Sequence, residues 1–225
     1  MSLTACRAAV FDAYGTLFDV HAATQRESAA LGEAARPLSE LWRQKQLEYS
    51  WLRSLMGAYA DFWQVTQDAL DFALAAHGIA DDGLRRRLLD LYLELAAYPD
   101  ALAALAALRA GGRKTAILTN GSPAMIEAAC RASGLAAALD RVLTVDPLRV
   151  YKPDPRVYRL AVESLGVAAG EICFVSTNAW DARGAAHFGF RVVWMNRFGK
   201  RPDLLPGSFE TTIEGLDALP PLLGL

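Results

Sequence analysis

Residues 8–20, AAVFDAYGTLFDV, form an apolar run that ends on Asp12, and the position two places beyond that acid is Tyr14 instead of a second acid. A carboxylate at the mouth of a buried strand either caps a turn or serves as a nucleophile. Its company bears on the choice. LTNGSP brings Thr119 and Asn120 just ahead of a helix start, where backbone N–H groups favour anions. VYKPDPRVY sets Lys152 before a Pro-initiated helix that carries Tyr158, and CFVSTNAWDARGAA ends an apolar run on Ser176, Thr177 and Asn178, then presents Trp180 and Asp181. Taken singly, these are an Asn-Gly turn, a solvated lysine and a helix cap. Taken together they are four polar strand ends, and an open sheet would bring all four to one crevice.

The elements that must position them alternate in texture. Apolar, mostly β-branched runs at 8–11, 115–119, 142–145, 172–176 and 192–195 each lead into a polar or Gly-containing turn, the pattern of buried strands in a parallel sheet. Helix signals lie between them: Ser122, Pro123 and Gly134 bracket one helix, and a second closes on Gly166. Strand alternating with helix predicts βαβ units and an open α/β sheet with ligands outside the carboxyl ends of its strands. The first strand, however, is followed by a long stretch without strand signals. Leu38, Leu41, Trp42, Leu52, Leu55, Met56 and Tyr59, then Trp63, Thr66, Leu70, Ala73, Leu74 and His77, then Leu84, Leu88, Leu91 and Leu95 keep helical spacing. A helical cap over 19–97 is therefore expected, inserted into an α/β core made of 1–18 and 98–225. Such an insertion would overhang the edge where Asp12 emerges and exclude water.

Composition narrows the partners. The chain has 225 residues, 53% of them hydrophobic, and a formal net charge of −2, enough for a core plus an insertion and without a basic footprint for nucleic acid or anionic membrane. A small-molecule substrate is expected. Cys6, Cys130 and Cys173 are far apart and form no CxxC pair, which favours reduced thiols and the cytoplasm. Neither an export signal nor a long apolar span is evident, so no membrane role is expected. His21, His77 and His187 are scattered and offer no metal-ligand cluster.

In this order and spacing, FDAYGTLFDV, LTNGSP, YKPDPRVY and VSTNAWDARGA resemble the four motif loops of the haloacid dehalogenase superfamily, over essentially the whole chain. LWRQKQLEYSWLRSLM in the cap and the NAWDA of the fourth loop most resemble the L-2-haloacid dehalogenases. The resemblance implies a Rossmann-like open parallel sheet flanked by helices, with an inserted helical-bundle cap. It also accounts for Tyr14: superfamily phosphatases carry a second Asp there as acid/base toward a leaving group, and hold magnesium with acids of the fourth loop. Here that loop offers Ser176 and Asn178 and keeps only Asp181. A halide needs no proton on leaving, so one carboxylate and a cationic cradle suffice.

Carried over residue by residue, the resemblance implies that Asp12 attacks C2 of a short L-2-haloalkanoate, inverting it and forming an ester that water cleaves to a D-2-hydroxy acid. Arg43, with Asn120 and Trp180, would receive the halide. Thr119 stands where the family usually has Ser and keeps the hydroxyl expected to meet the substrate carboxylate. Lys152 would attract that carboxylate and pair with Asp12, Thr16 would steady Asp12, and Tyr158, Ser176, Asn178 and Asp181 would orient Lys152 and the hydrolytic water. Tyr14, Leu47, Phe62 and Trp180 are candidates for an apolar pocket wall, although Leu47 and Phe62 are equally placed to be cap core. No cofactor and no metal are implied, and a homodimer through the cap helices is. Two other readings stand beside this one: a phosphatase that lost its second Asp, and a non-catalytic binding protein on the same fold.

Overall fold

Ala8–Phe11 (β1) is buried at every position, as expected of a strand with neighbours on both sides and helices on both faces. A computed structural model describes residues 2–225. After β1 the chain is helical for a long stretch: α1 (Ala22–Arg26), α2 (Ser28–Leu31), α3 (Ala35–Met56), α4 (Phe62–Ala76), α5 (Asp82–Leu93) and α6 (Ala101–Ala110). Then β2 (Lys114–Thr119), α7 (Pro123–Ser133), β3 (Arg141–Thr144), α8 (Pro155–Leu165), β4 (Ile172–Ser176), α9 (Ala179–Phe188), β5 (Arg191–Met195), β6 (Thr211–Ile213) and α10 (Leu219–Leu222) follow. The six strands form one sheet in the order β3-β2-β1-β4-β5-β6, every pairing parallel. Phe11 pairs with Ile117 on one side and Val175 on the other, so Asp12, Thr119 and Ser176 emerge at one edge, where the strand order reverses.

The local signals act as their chemistry requires. Ser122 is extended at the N-cap of α7, Pro123 follows, and Gly134 ends the helix at φ +72°. Asp154 caps α8 by accepting from the Arg156 amide at 2.9 Å, with Pro155 at the first helical position.

Three expectations change. The run at 142–145 is not a fully buried strand: β3 is Arg141–Thr144, exposed or half-buried, because it lies at the sheet edge. The short polar strand β6 carries too little apolar periodicity to read as a strand. The Leu52, Leu55 and Met56 half of the α3 stripe faces outward, with Leu55 84% and Met56 74% exposed, and the helix stops at Gly57 (φ +65°) before Tyr59.

The helical segment enters and leaves through paired backbone, the Asp19 amide donating to the Ala96 carbonyl at 3.1 Å and the Tyr98 amide to the Leu17 carbonyl at 2.8 Å. It rests on the carboxyl edge of the sheet. The Tyr14 ring stacks on Tyr92 of α5 at 5.8 Å, Trp51 of α3 meets Trp180 of α9 edge-on at 5.1 Å, and the Tyr59 hydroxyl donates to Asp146 at 2.5 Å. Cys6, Cys130 and Cys173 are free and buried, as their spacing predicted. No helix among the described residues is long and apolar enough to cross a membrane.

Candidate active site

Asp12 continues the sheet by one residue, its amide donating to the Val175 carbonyl at 2.9 Å. Gly15, at φ +91°, then turns the chain away in a conformation that favours glycine. The two carboxylate oxygens of Asp12 have different surroundings. Oδ2 accepts from Asn178 Nδ2 at 2.7 Å, from Thr16 Oγ1 at 3.2 Å and from Ser176 Oγ at 3.4 Å. Among the described residues Oδ1 accepts from Lys152 Nζ alone, at 3.2 Å. Its side chain remains about 10% exposed. One oxygen is thus tied down by three donors while the other keeps lone-pair capacity, in a side chain that is not wholly sealed from solvent.

Lys152 is 1% exposed and its ammonium also donates to Asp181 Oδ2 at 2.8 Å. Asp181 in turn accepts from the Tyr158 hydroxyl through Oδ1 at 2.8 Å. Burial alone would push the lysine down, but Asp12 and Asp181 together hold it above the ordinary range. Burial pushes the Asp181 carboxyl up to about 6 against the opposing pull of Lys152. Tyr158 is pushed well up by the same burial and by Asp181, so it stays a neutral donor. The loop carrying Lys152 is pinned by the Lys152 amide, which donates to Asn120 Oδ1 at 3.0 Å.

A divalent cation does not fit this arrangement, because the place between the two carboxylates is taken by the ammonium at 3.2 and 2.8 Å. Among the described residues no group of three or more His, Cys, Asp or Glu side chains could hold a metal ion.

Opposite this cluster, Arg43 reaches down from α3 and donates through Nη2 to the Tyr14 carbonyl at 3.3 Å, an oxygen that Asn178 Nδ2 also meets at 3.2 Å. Arg43, Leu47, Asn178 and Trp180 line a cavity of about 270 Å³, with His21, Lys200 and Arg201 on its outer part. A larger groove of about 510 Å³ on the far side of Trp180 is lined by Pro153, Pro155 and Phe188 and lacks Arg43; Asp12 lines neither space, but its neighbours Gly15 and Asn178 stand on the wall of the smaller one.

The residues singled out in the sequence are not all on the cavity wall: Arg43, Leu47, Asn178 and Trp180 line it, whereas Tyr14, Thr119, Asn120 and Lys152 do not. Thr119 is fully buried and its hydroxyl accepts from the Gly121 amide at 3.0 Å. Leu47 stands on the cavity wall, whereas Phe62 is packed between the rings of Tyr14 at 6.1 Å and Tyr151 at 5.7 Å and backs the wall instead of forming it. The Tyr14 hydroxyl and the Trp180 indole N–H are buried without a hydrogen-bond partner, two donors that the described residues leave unused. Gly121 must be small, since a Cβ there would lie 2.6 Å from the Tyr14 ring. Two residues beside Arg43 escaped notice, Gln46 and Tyr92. The available signal was a polar side chain three residues after Arg43 on the buried face of a helix.

A strand-end carboxylate with a buried lysine, on a Rossmann-type sheet roofed by helices, defines a class of hydrolase. The sequence matches the family model of haloacid dehalogenase-like hydrolases over residues 6–189, and the chain belongs to that family. More narrowly, it is 52% identical over 218 residues to "(S)-2-haloacid dehalogenase 1" of Pseudomonas sp. (strain CBS-3), covering 96% of each chain. It is 51% identical to "(S)-2-haloacid dehalogenase 4A" of Burkholderia cepacia, covering 96% of this chain and 94% of that one. The structure of L-2-haloacid dehalogenase from Xanthobacter autotrophicus with chloropropionic acid covalently bound superposes with a TM-score of 0.91 at 38% identity, over 97% of this chain and 98% of that one. The protein is an enzyme of this (S)-2-haloacid dehalogenase family.

Proposed function

We propose that the enzyme hydrolyses short L-2-haloalkanoic acids to D-2-hydroxy acids, with Asp12 as nucleophile and without a divalent ion. The single observation that carries this reading is the asymmetry of Asp12, with Oδ2 held by Asn178, Thr16 and Ser176 and Oδ1 facing Lys152 alone. Oδ1 attacks C2 from the side opposite the halogen. A C–O bond forms, the C–halogen bond breaks, and its electron pair leaves with the halide. Arg43, the Asn120 amide and the unpartnered Trp180 N–H are the donors for that anion, and preorganised donors of this kind are worth about a hundred- to a thousandfold each in rate. Thr119 and Lys152 take the substrate carboxylate. Water then attacks Cγ of Asp12, the Cγ–Oδ1 bond breaks, one water proton passes to Oδ1 of the departing hydroxy acid and the other to solvent, and Asp12 is left as a carboxylate that carries the water oxygen. Asn178 and Ser176 hold the oxygen that carries negative charge in this step, while Asp181 and Tyr158 keep Lys152 in place.

The helices at 19–97 act as a cap over the α/β core of 1–18 and 98–225, with Tyr14, Leu47 and Trp180 keeping water from the alkylation step. The likeness to the two bacterial enzymes and to a relative with chloropropionic acid covalently bound supports the substrate class. The unpaired thiols suit a reducing cytoplasm. Exposed Leu52, Leu55 and Met56 on α3 suit a homodimer through the cap, which size-exclusion chromatography with light scattering tests.

The deciding experiment is halide release from the two enantiomers of 2-chloropropionate in EDTA. Chloride from the L-acid only is expected. A single turnover in oxygen-18 water should label Asp12 and leave the first hydroxy acid largely unlabelled, whereas label passing directly into product would mean that water attacks the substrate itself.

A further inference from the structure

The cap contains a buried polar cluster that the reaction above does not use. Gln46 follows Arg43 by three residues on α3, so both lie on one helix face, and Gln46 is 1% exposed. A primary amide in that position is costly to bury unless its donors and acceptor are met. They are met. Oε1 accepts from Arg43 Nη1 at 2.7 Å, Nε2 donates to Thr66 Oγ1 at 2.7 Å, and the Tyr92 hydroxyl lies 3.1 Å from Nε2 and 3.2 Å from Oε1.

The direction of the amide is forced. The Phe62 carbonyl can only accept, and the Thr66 hydroxyl donates to it at 2.6 Å. Thr66 Oγ1 must therefore receive from Gln46 Nε2, which turns Oε1 toward the guanidinium, a group with five donors and no acceptor. The Trp42 indole donates to the Thr66 carbonyl at 2.9 Å and the Tyr92 ring stacks on Tyr14, so α4 and α5 both hold the amide. Charge is the second observation. Elsewhere in the helical segment Arg36 pairs with Glu40, Arg53 with Asp68, Arg85 with Asp71 and Arg87 with Glu27. Arg43, the arginine of α3 on the cavity, meets only neutral oxygens among the described residues, those of Gln46 and Tyr14 with the Tyr92 hydroxyl beside them.

We propose that Gln46 is the positioning residue of Arg43: a neutral, buried acceptor that fixes the guanidinium toward the cavity while leaving its positive charge free for a departing halide. This rests on the reading of Arg43 as the halide's partner. A carboxylate would occupy the same space and orient Arg43 equally well, but would cancel its charge. An apolar side chain would leave the charge and lose the orientation.

The two failures are separable. Gln46→Glu should lower kcat per folded molecule by about a hundredfold or more and weaken inhibition by bromide by about tenfold, whatever midpoint results from leaving Thr66 Oγ1 without its donor. Gln46→Met should lower kcat by about tenfold with KM within about threefold, the mark of an interaction made mainly in the transition state, and keep bromide inhibition. A purely structural role would instead lower the midpoint of both variants and leave kcat per folded molecule and bromide inhibition alike. Bromide binding read by tryptophan fluorescence needs no turnover and tests Gln46 independently of the substrate assignment. Equal bromide binding by wild type and Gln46→Glu, or none by the wild type, overturns the proposal. Failure to release chloride, with bromide binding split as expected, counts against the substrate instead. Should Gln46→Glu not fold, Thr66→Val frees the amide from a point outside the cavity and should lower kcat in the same direction as Gln46→Met. Wild-type kcat in both overturns the proposal.

Discussion

The two sides of the cavity hold their charges by opposite means. On the sheet side, Lys152 lies 3.2 Å from Asp12 and 2.8 Å from Asp181, with all three groups buried. On the helical side Arg43 is half-buried and, among the described residues, hydrogen-bonds only to neutral oxygens. Closely paired buried charges hold one another in place, but removing any one strands the others. A cation held by neutral acceptors is expendable for folding and retains its field for an incoming anion. The sheet side thus ties structure to charge, while the helical side separates them.

The most severe break of this contrast is Asp12→Asn, which should lower kcat by about 10⁴-fold or more, measured as halide release. Next comes the pair that tests the contrast directly. Lys152→Ala should cost about 3–5 kcal/mol of stability by leaving two buried carboxylates uncompensated, together with activity. Arg43→Ala should lose about 10²–10³ in kcat yet stay within about 1 kcal/mol of wild-type stability, both read by chemical denaturation beside steady-state kinetics. Comparable losses of stability and turnover in Arg43→Ala would return that arginine to an ordinary structural role.

A pH series sharpens the comparison. The Asp181 carboxyl is pushed up to about 6 by burial, so it takes a proton as the medium falls through that value, and Lys152 is left paired with Asp12 alone. Activity should therefore drop below about pH 6, as a property of the whole buried cluster, and Asp181→Asn should abolish that limb. The sign for stability is the reverse. A carboxyl raised above its unfolded value of about 3.9 favours the fold fully below that value and loses the contribution as pH rises through about 6. Asp181 by itself thus predicts falling turnover without falling stability between pH 7 and 5, in a kinetic profile set against thermal midpoints. The smallest expected effect lies in the connection between α3 and α4. Tyr59→Phe removes the 2.5 Å hydrogen bond to Asp146 and should cost about 1 kcal/mol, visible as a modest drop in thermal midpoint.

Most strands and the main helices were legible because their signals are local. β-branched runs mark β2, β4 and β5, and Ser122, Pro123 and Gly134 mark α7. β6 and the outward turn of Leu55 were not legible. The first is too short to show a period, and the second depends on which face of α3 the neighbouring helices cover. In the site, Asp12, Lys152 and Asp181 were readable from their motif loops, and their convergence followed from strands ending at one edge. Gln46 was not, since a glutamine in a polar helix looks solvated until α4 and α5 cover it.

The amino-acid order alone determined the alternation of strand and helix, the inserted helical stretch and the identity of the acids and cations, because capping, period and side-chain chemistry act over a few residues. Tertiary structure decided which Asp12 oxygen faces Lys152 and which is held by Asn178, Thr16 and Ser176, which groups share Lys152, and that Arg43 is held by neutral oxygens. Those facts depend on atoms brought within hydrogen-bond reach from segments more than a hundred residues apart, as with Asp12 and Lys152, and no local pattern records such distances.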